Sequence, residues 1–393
     1  MMKIGIVTFV KADNYGAELQ AYALQKKLNM MGYDAEVLDL EKEQGVMSSS
    51  KRNIYISLKN RIRYYGFWRG CNKFIQAVLE TLSERQANKN NQEQIKAKHK
   101  IFEHFFENKI KHSPEYIKLD DLANKNLPYD IYIAGSDQIW NYMQTNRLDV
   151  FFLKFANRFH ARKISYAASF SVPSIPKDLE NVYKPLIENL DAISVRENNA
   201  LEIISKLSRK NAVQVLDPTL LLNRSEWVND VAKPNYLPNL NKVVVIYTLS
   251  GSKYIYELAK GIAKKLDANV VNIKNGFSRV KGDDGIIHIM DAGPQEFISL
   301  LNKAVYVITD SFHGTAFSIN FNIPFTTLLN PVSNINSRAL SLLEMCKLTS
   351  RMIYDDGNNA FPKTLTVDFT EANDILSAWR KKSIDYLITN IHQ

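Results

Sequence analysis

Short apolar runs ending in small polar residues recur along this chain, and they constrain the fold more than any other feature. KIGIVTF (3–9) reads as a buried strand, and a helix over about 15–31 follows it. That helix places Leu19, Tyr22, Ala23 and Leu28 on one inner face. Gly32 suits its C-cap, and AEVLDL (35–40) forms a second strand. A strand–helix–strand opening of this kind builds a parallel sheet. The alternation resumes with YDIYIAGSD (129–137), KISYAASF (163–170), AISVRE (192–197) and AVQVLDP (212–218). A second series starts at KVVVIYTL (242–249) and includes AVYVITD (304–310) and IPFTTLL (323–329).

The pattern divides the chain into an N-terminal α/β domain over 1–225 and a second α/β domain over 242–370. A linker is expected at 226–241, where Pro234, Pro238 and several asparagines break the periodicity. A highly charged helical insertion is expected at about 41–120, and a C-terminal helix at 371–393. Two open α/β units put the natural site in the cleft between them, at the carboxyl ends of strands. A length of 393 residues fits two or three domains.

Two cysteines, Cys71 and Cys346, exclude a disulfide scaffold and a four-cysteine zinc site, and they suit a reducing, cytosolic compartment. No stretch reaches the ~18 apolar residues of a spanning helix, so a soluble or peripheral protein is expected. The net charge of +9 favours an anionic partner. It concentrates at 51–73, where seven Lys and Arg alternate with aromatics and no acid intervenes. That stretch suits a solvated helical face or the surface of an anionic membrane. No nucleic-acid recognition module accompanies it, so no nucleic-acid partner is expected.

Several chemistries are excluded by missing motifs: the phosphate-binding P-loop, the G-x-G-x-x-G turn after the first strand, H-E-x-x-H, and the G-x-S-x-G elbow. No metal site is expected. Four constellations remain. Asp13, Asn14 and Tyr15, with Gly16, Glu18 and Gln20, lie between the first strand and first helix, where polar groups cap the helix or meet a ligand. Ser136, Asp137 and Gln138 follow Gly135 at a strand end, with Trp140 as a stacking face for a sugar or as a core residue. Asp310, Ser311, His313, Gly314 and Thr315 join a strand to a helix start. Free amides and the positive helix end there favour a phosphate or carboxylate. His313 suits acid–base work near neutral pH. Arg196, Arg338 and Arg351 are the cations suited to bidentate contact with such an anion.

Taken in order, KIGIVTF…NYGAELQAYAL, YDIYIAGSDQIWN, KISYAASF, ISVRENNA, VLDPTLLL, ITDSFHGTAFSINFNIPF and NSRALSLLEMCKLTSR resemble the polysaccharide pyruvyl transferase family. The resemblance implies a glycosyltransferase-B-like fold of two Rossmann-like domains. It implies transfer of the pyruvyl group of phosphoenolpyruvate onto two hydroxyls of one sugar, giving a cyclic ketal and phosphate, with no cofactor. The acceptor would be a bacterial polysaccharide precursor, often lipid-linked, at the inner face of the plasma membrane. On this reading His313 is the principal acid–base group, with Asp310 or Asp137 orienting it or activating a hydroxyl. Arg196, Arg338, Ser311, Gly314 and Thr315 bind the donor. Asp13, Asn14, Tyr15, Ser136, Gln138 and Trp140 face the acceptor. The alternatives are a nucleotide-sugar-dependent glycosyltransferase of the same fold, and a non-catalytic glycan- or membrane-binding protein.

Overall fold

The computed structural model describes residues 1–41, Trp68, Cys71, Ile75 and 91–393, apart from 115, 116, 119, 123, 126, 251, 274–284, 332–336, 357 and 359. The basic stretch 51–73 therefore lies, but for Trp68 and Cys71, outside the described residues. No described helix is long and apolar enough to cross a membrane.

The first half is a parallel sheet in the order β2-β1-β3-β4. Its strands are β1 (Lys3–Val7), β2 (Asp34–Val37), β3 (Ile131–Ala134) and β4 (Arg162–Ser165). Two further parallel strands, β5 (Ile193–Val195) and β6 (Ala212–Gln214), continue it through bridges from Ile164 to Ala192 and from Ala168 to Val195. The strand expected to run to Phe170 ends at Ser165, because Ala167 and Ser171 take left-handed backbone angles, φ 50° and 52°. The second half is a six-stranded parallel sheet in the order β12-β11-β10-β7-β8-β9. Its centre is β7 (Val243–Tyr247), buried along its whole length, between β8 (Asn269–Ile273) and β10 (Ala304–Thr309). The outer strands are β9 (Ile286–Ile289), β11 (Phe325–Leu329) and β12 (Met352–Tyr354). Strands without polar alternation are what a sheet covered on both faces requires.

Helices cover both sheets. Those that shape the site are α1 (Tyr15–Met30), α2 (Gln92–Lys109), α3 (Asn198–Leu207), α4 (Pro294–Lys303), α5 (Phe312–Asn320), α6 (Ser337–Met345) and α7 (Thr370–Ile391). Within the charged insertion, α2 buries Phe102, Phe105 and Phe106, so one of its faces belongs to the core. The expected linker begins inside a short helix, Arg224–Asp230, capped by Asn223. Its Trp227 is fully buried between Tyr22 of the first half and Phe317 of the second, at ring distances of 5.6 and 5.1 Å.

One apolar cluster runs through both halves. Tyr15 stacks on Phe297 at 4.7 Å and meets Tyr247 edge-on at 5.6 Å. The C-terminal helix α7 returns to the first half, where Tyr386 donates to the Ser165 carbonyl and Arg380 to that of Leu220. The two halves therefore meet in a packed aromatic seam, and the loops after β1 and β10 lead into helix starts that touch each other.

Candidate active site

From the second half, β10 leads through Asp310 and Ser311 into α5. Ser311 is the N-cap, but its side chain bonds none of the first amides, which leaves the positive end of the helix without a side-chain cap. A Cβ at Gly314 would lie 2.2 Å from Thr309 Oγ1. Only glycine lets the helix start pack this tightly on its own strand. His313 is thereby held in the buried cleft, 6% exposed.

From the first half, Asn14 caps α1 by accepting from the amides of Gly16 and Ala17 at 2.8 and 3.3 Å. The next contact joins the halves: a Cβ at Gly16 would stand 2.0 Å from His313 Nδ1. The start of α1 thus abuts the imidazole at the start of α5. Glu18, fully buried, accepts from the Ala12 amide, and burial pushes its carboxyl up to about 8. It is neutral at pH 7 and pins the loop before α1. Asp13 accepts from His99 of α2 at 2.7 Å, which brings the insertion to the edge of the site.

Behind His313 lies a charged cluster. Asp217 Oδ2 accepts from Arg196 Nη1 at 2.6 Å and from Ser136 Oγ at 3.2 Å. Its Oδ1 accepts from the Thr219 amide and hydroxyl at 3.0 and 2.7 Å. Arg196 Nη2 donates to Asp137 Oδ1 at 3.3 Å. Burial opposes the charge on both Asp217 and Arg196. Their mutual attraction, aided for Arg196 by Asp137, outweighs it, holding the Asp217 carboxyl below its ordinary value and the guanidinium above its own. His313 Nε2 stands 3.8 Å from Asp217 Oδ2, beyond hydrogen-bond range, and has no partner. Burial drags His313 down to about 4 against the opposing pull of Asp217 and Asp137, so the imidazole is neutral at pH 7.

Arg338 completes the site from α6. It is 6% exposed and, among the described residues, takes part in no hydrogen bond or ion pair; its Nε has no partner. Burial, and then repulsion from Arg196, pull it down to about 10, so it is still charged at neutral pH. The Phe312 ring lies 4.5 Å from the Arg196 guanidinium carbon and 5.8 Å from that of Arg338. A buried cation without an anion is costly. Beside an uncapped helix start and a neutral histidine, it forms a receptacle for an anionic group.

The polysaccharide pyruvyl transferase model matches residues 14–331, a span that holds Asn14, Gly16, Asp137, Arg196, Asp217 and His313. The chain belongs to that family. Its members are transferases of polysaccharide biosynthesis. No curated protein matches the sequence. Among solved structures, a UDP-N-acetylglucosamine 2-epimerase is similar at TM-score 0.52 and 11% identity, covering 100% of this chain and 96% of its own. The UDP-GlcNAc 2-epimerase of Methanocaldococcus jannaschii is similar at TM-score 0.48 and 12% identity, covering 96% and 99%. The first establishes the fold, a glycosyltransferase-B-like pair of Rossmann-like domains; at such identity it speaks to nothing further.

For this pyruvyl transferase family member, the structure brings His313, Asp137, Arg196, Arg338, Ser311 and Gly314 together with Asn14 and Gly16. It corrects other expectations. Asp310 does not orient His313: its carboxylate accepts from Thr248 Oγ1 and the amides of Leu249 and Ser250, tying β10 to the loop after β7. Thr315 turns its hydroxyl back to the Ser311 carbonyl and Thr327, inside the core, and offers the donor nothing. Tyr15 is fully buried in the seam, its hydroxyl spent on the Ala292 carbonyl. Trp140 is a core residue, stacked on Phe152 at 4.4 Å with its Nε1 on the Phe151 carbonyl, so no face is left for a sugar. Ser136 is fully buried, with its hydroxyl against the Ala167 carbonyl and Asp217. Gln138, half-buried, accepts from Asn141. Arg351 is buried against Thr364 and Thr366, away from this cluster. Asp217 and Glu197 are the carboxylates the motif reading did not assign.

The depressed value of His313 makes an acid-lability prediction. Its folded pKa, about 4, lies below the unfolded value of about 6.5. The unfolded chain therefore binds the extra proton first, and this contribution to stability is full above about pH 6.5 and lost as pH falls through 4. His313→Gln is expected to lose less stability than the native protein between pH 6.5 and 4.5, measured by thermal midpoint. Equal losses would contradict the neutral, buried imidazole.

Proposed function

We propose that the protein transfers the pyruvyl group of phosphoenolpyruvate onto two hydroxyls of a sugar in a polysaccharide precursor, forming a cyclic ketal and releasing phosphate. The observation that carries this reading is the unpartnered buried guanidinium of Arg338 beside His313 and the open start of α5. Phosphoenolpyruvate presents a phosphate and a carboxylate on one enol carbon, and Arg338 and the α5 amides are the groups suited to them. The terminal nitrogens of Arg196 are already committed to Asp217 and Asp137, so Arg196 contributes its field and its free Nε.

The reaction needs the enol methylene protonated, so that the central carbon becomes oxocarbenium-like and open to a hydroxyl. Attack by one hydroxyl forms the first C–O bond. Departure of phosphate with its electron pair then opens the carbon to the second hydroxyl. His313 is the proton donor in this scheme. In the free protein it is neutral, but an anion bound beside it raises its affinity for a proton. Donor binding therefore arms the acid. Asp217 and Asp137 stabilise the imidazolium that results. This chemistry calls on no metal or organic cofactor.

Two measurements test the reading. Phosphoenolpyruvate is expected to raise the thermal midpoint, and calorimetric titration in buffers of differing ionisation enthalpy is expected to show proton uptake that His313→Gln removes. Stabilisation by a nucleotide sugar and not by phosphoenolpyruvate would move the assignment to glycosyl transfer. An acceptor glycan gaining the mass of pyruvic acid less one water, with a saturated methyl and a ketal carbon joined to two sugar oxygens by NMR, would establish the ketal over an enol ether or ester of the same mass.

A further inference from the structure

Glu197 is fully buried one residue beyond Arg196, yet half of its carboxylate is unused. Its Oε1 accepts three bonds, from Ser169 Oγ at 2.9 Å and the amides of Phe170 and Ser171 at 3.0 and 3.1 Å. Its Oε2 has no partner, nor has the buried Ser171 Oγ nearby. The carboxylate acts electrostatically on both Arg196 and Arg338, favouring their charged forms. Even so, no ion pair within 4.0 Å joins Glu197 to Arg338.

Two buried, opposite, under-satisfied charges would close on each other if the chain let them. Here both are restrained. Three donors clamp Glu197 from the turn after β4, and the Phe312 ring flanks Arg338. The amide of Asn198, the residue after Glu197, donates to Ser341 Oγ on α6 at 3.3 Å, one turn beyond Arg338, so the two charges sit on touching elements as a split anion–cation pair. A ligand that bridges them carries an anionic group for Arg338 and a hydrogen-bond donor for Glu197. Phosphoenolpyruvate has only the first; a sugar hydroxyl attacking it supplies the second.

We propose that Glu197 is the second proton-transfer residue of the site, its Oε2 accepting the hydrogen of the acceptor hydroxyl that attacks the pyruvyl carbon. This rests on the pyruvyl-transfer reading. As the new C–O bond forms, the hydroxyl proton passes to Glu197 Oε2 while His313 delivers its own proton to the methylene. When the phosphate bond breaks, the leaving phosphate takes the proton of the second hydroxyl. Glu197 releases its proton to solvent as the products leave, matching the proton His313 takes up when the next donor binds, and the cycle closes with no other reactant.

Glu197→Gln keeps the shape and can still accept the three clamping bonds, but it cannot take a proton. Removing a like charge from beside the donor is expected to leave phosphoenolpyruvate affinity unchanged or severalfold tighter by calorimetry. Ketal-bound pyruvate in the glycans of source cells, with the native copy replaced, is expected to fall tenfold or more at equal protein level. Glu197→Asp retains the charge on a side chain one methylene shorter, and is expected to bind the donor normally and also lose ketal. Undiminished ketal with Glu197→Gln would overturn the proposal. So would loss of phosphoenolpyruvate binding in both variants, or failure of both to accumulate, since Glu197 would then be a structural clamp. Absence of ketal, or of donor binding, with the native protein would instead overturn the pyruvyl-transfer reading.

Discussion

Replacing Arg338 by methionine is expected to stabilise the free protein while removing its affinity for the donor. The two effects share one cause. Arg338 is buried, charged at neutral pH, and has no hydrogen-bond or ion-pair partner among the described residues; the Phe312 ring at 5.8 Å and the attraction of Asp137, Glu197 and Asp217, none of them in contact with it, offset its burial only in part. Arg196 adds repulsion. Methionine fills similar space, makes a favourable contact with the same ring and carries no desolvation cost. A gain of about 1–2 kcal/mol follows from relieving an unpaired buried charge. An anionic donor gives Arg338 the partner it lacks, and removing one member of such a pair costs about 2–5 kcal/mol of binding. Phosphoenolpyruvate affinity is therefore expected to fall by about 30-fold to several thousandfold in a calorimetric titration. Arg338→Lys, which keeps the charge but not the planar fork, is expected to fall between. A methionine variant that melts lower and still binds the donor would show that Arg338 is structural.

The particular residues show which parts of this site could be read from sequence. The start of α5 was legible because a strand ending in Thr309-Asp310 and a helix opening at Ser311-Phe312-His313-Gly314 are set by local periodicity and capping. The fold was legible for the same reason. Asp217 was not, because before Pro218 a lone aspartate reads as a turn residue. Its role comes from Arg196, Ser136 and His313, which the chain brings to it from three other segments. Trp140 and Tyr15 illustrate the opposite error. An aromatic beside polar residues at a strand end fits a sugar platform or a core plug equally well. Only Phe152 across Trp140, and Phe297 across Tyr15, decide for the core. Asp310 erred through proximity: three residues from His313 in sequence, it turns instead toward the loop after β7.

Gly16→Ala is expected to lower turnover by about 10²-fold or more, although Gly16 carries no functional group. At this helix position alanine satisfies the backbone and has the better helix propensity, so α1 itself loses nothing. The cost arises across the cleft. The added methyl would stand 2.0, 2.3 and 2.7 Å from Nδ1, Cε1 and Cγ of His313. The imidazole is buried, with the Phe312 ring at 5.1 Å and Asp217 Oδ2 at 3.8 Å from its Nε2. Relief therefore requires a shift of about 1 Å or more in the ring or between the two helix starts, and such misplacement of a reacting group costs about 10²-fold. A double-mutant cycle separates this contact from any general effect on folding. If the clash with His313 is the cause, Gly16→Ala lowers the thermal midpoint in the native background and leaves it unchanged, or raises it, in a His313→Ala background. Equal destabilisation in both backgrounds would place the strain in α1 and remove His313 from the account. Because the two residues belong to different halves, a positive cycle would also establish that the packed seam, with the halves closed on each other, is the arrangement in solution.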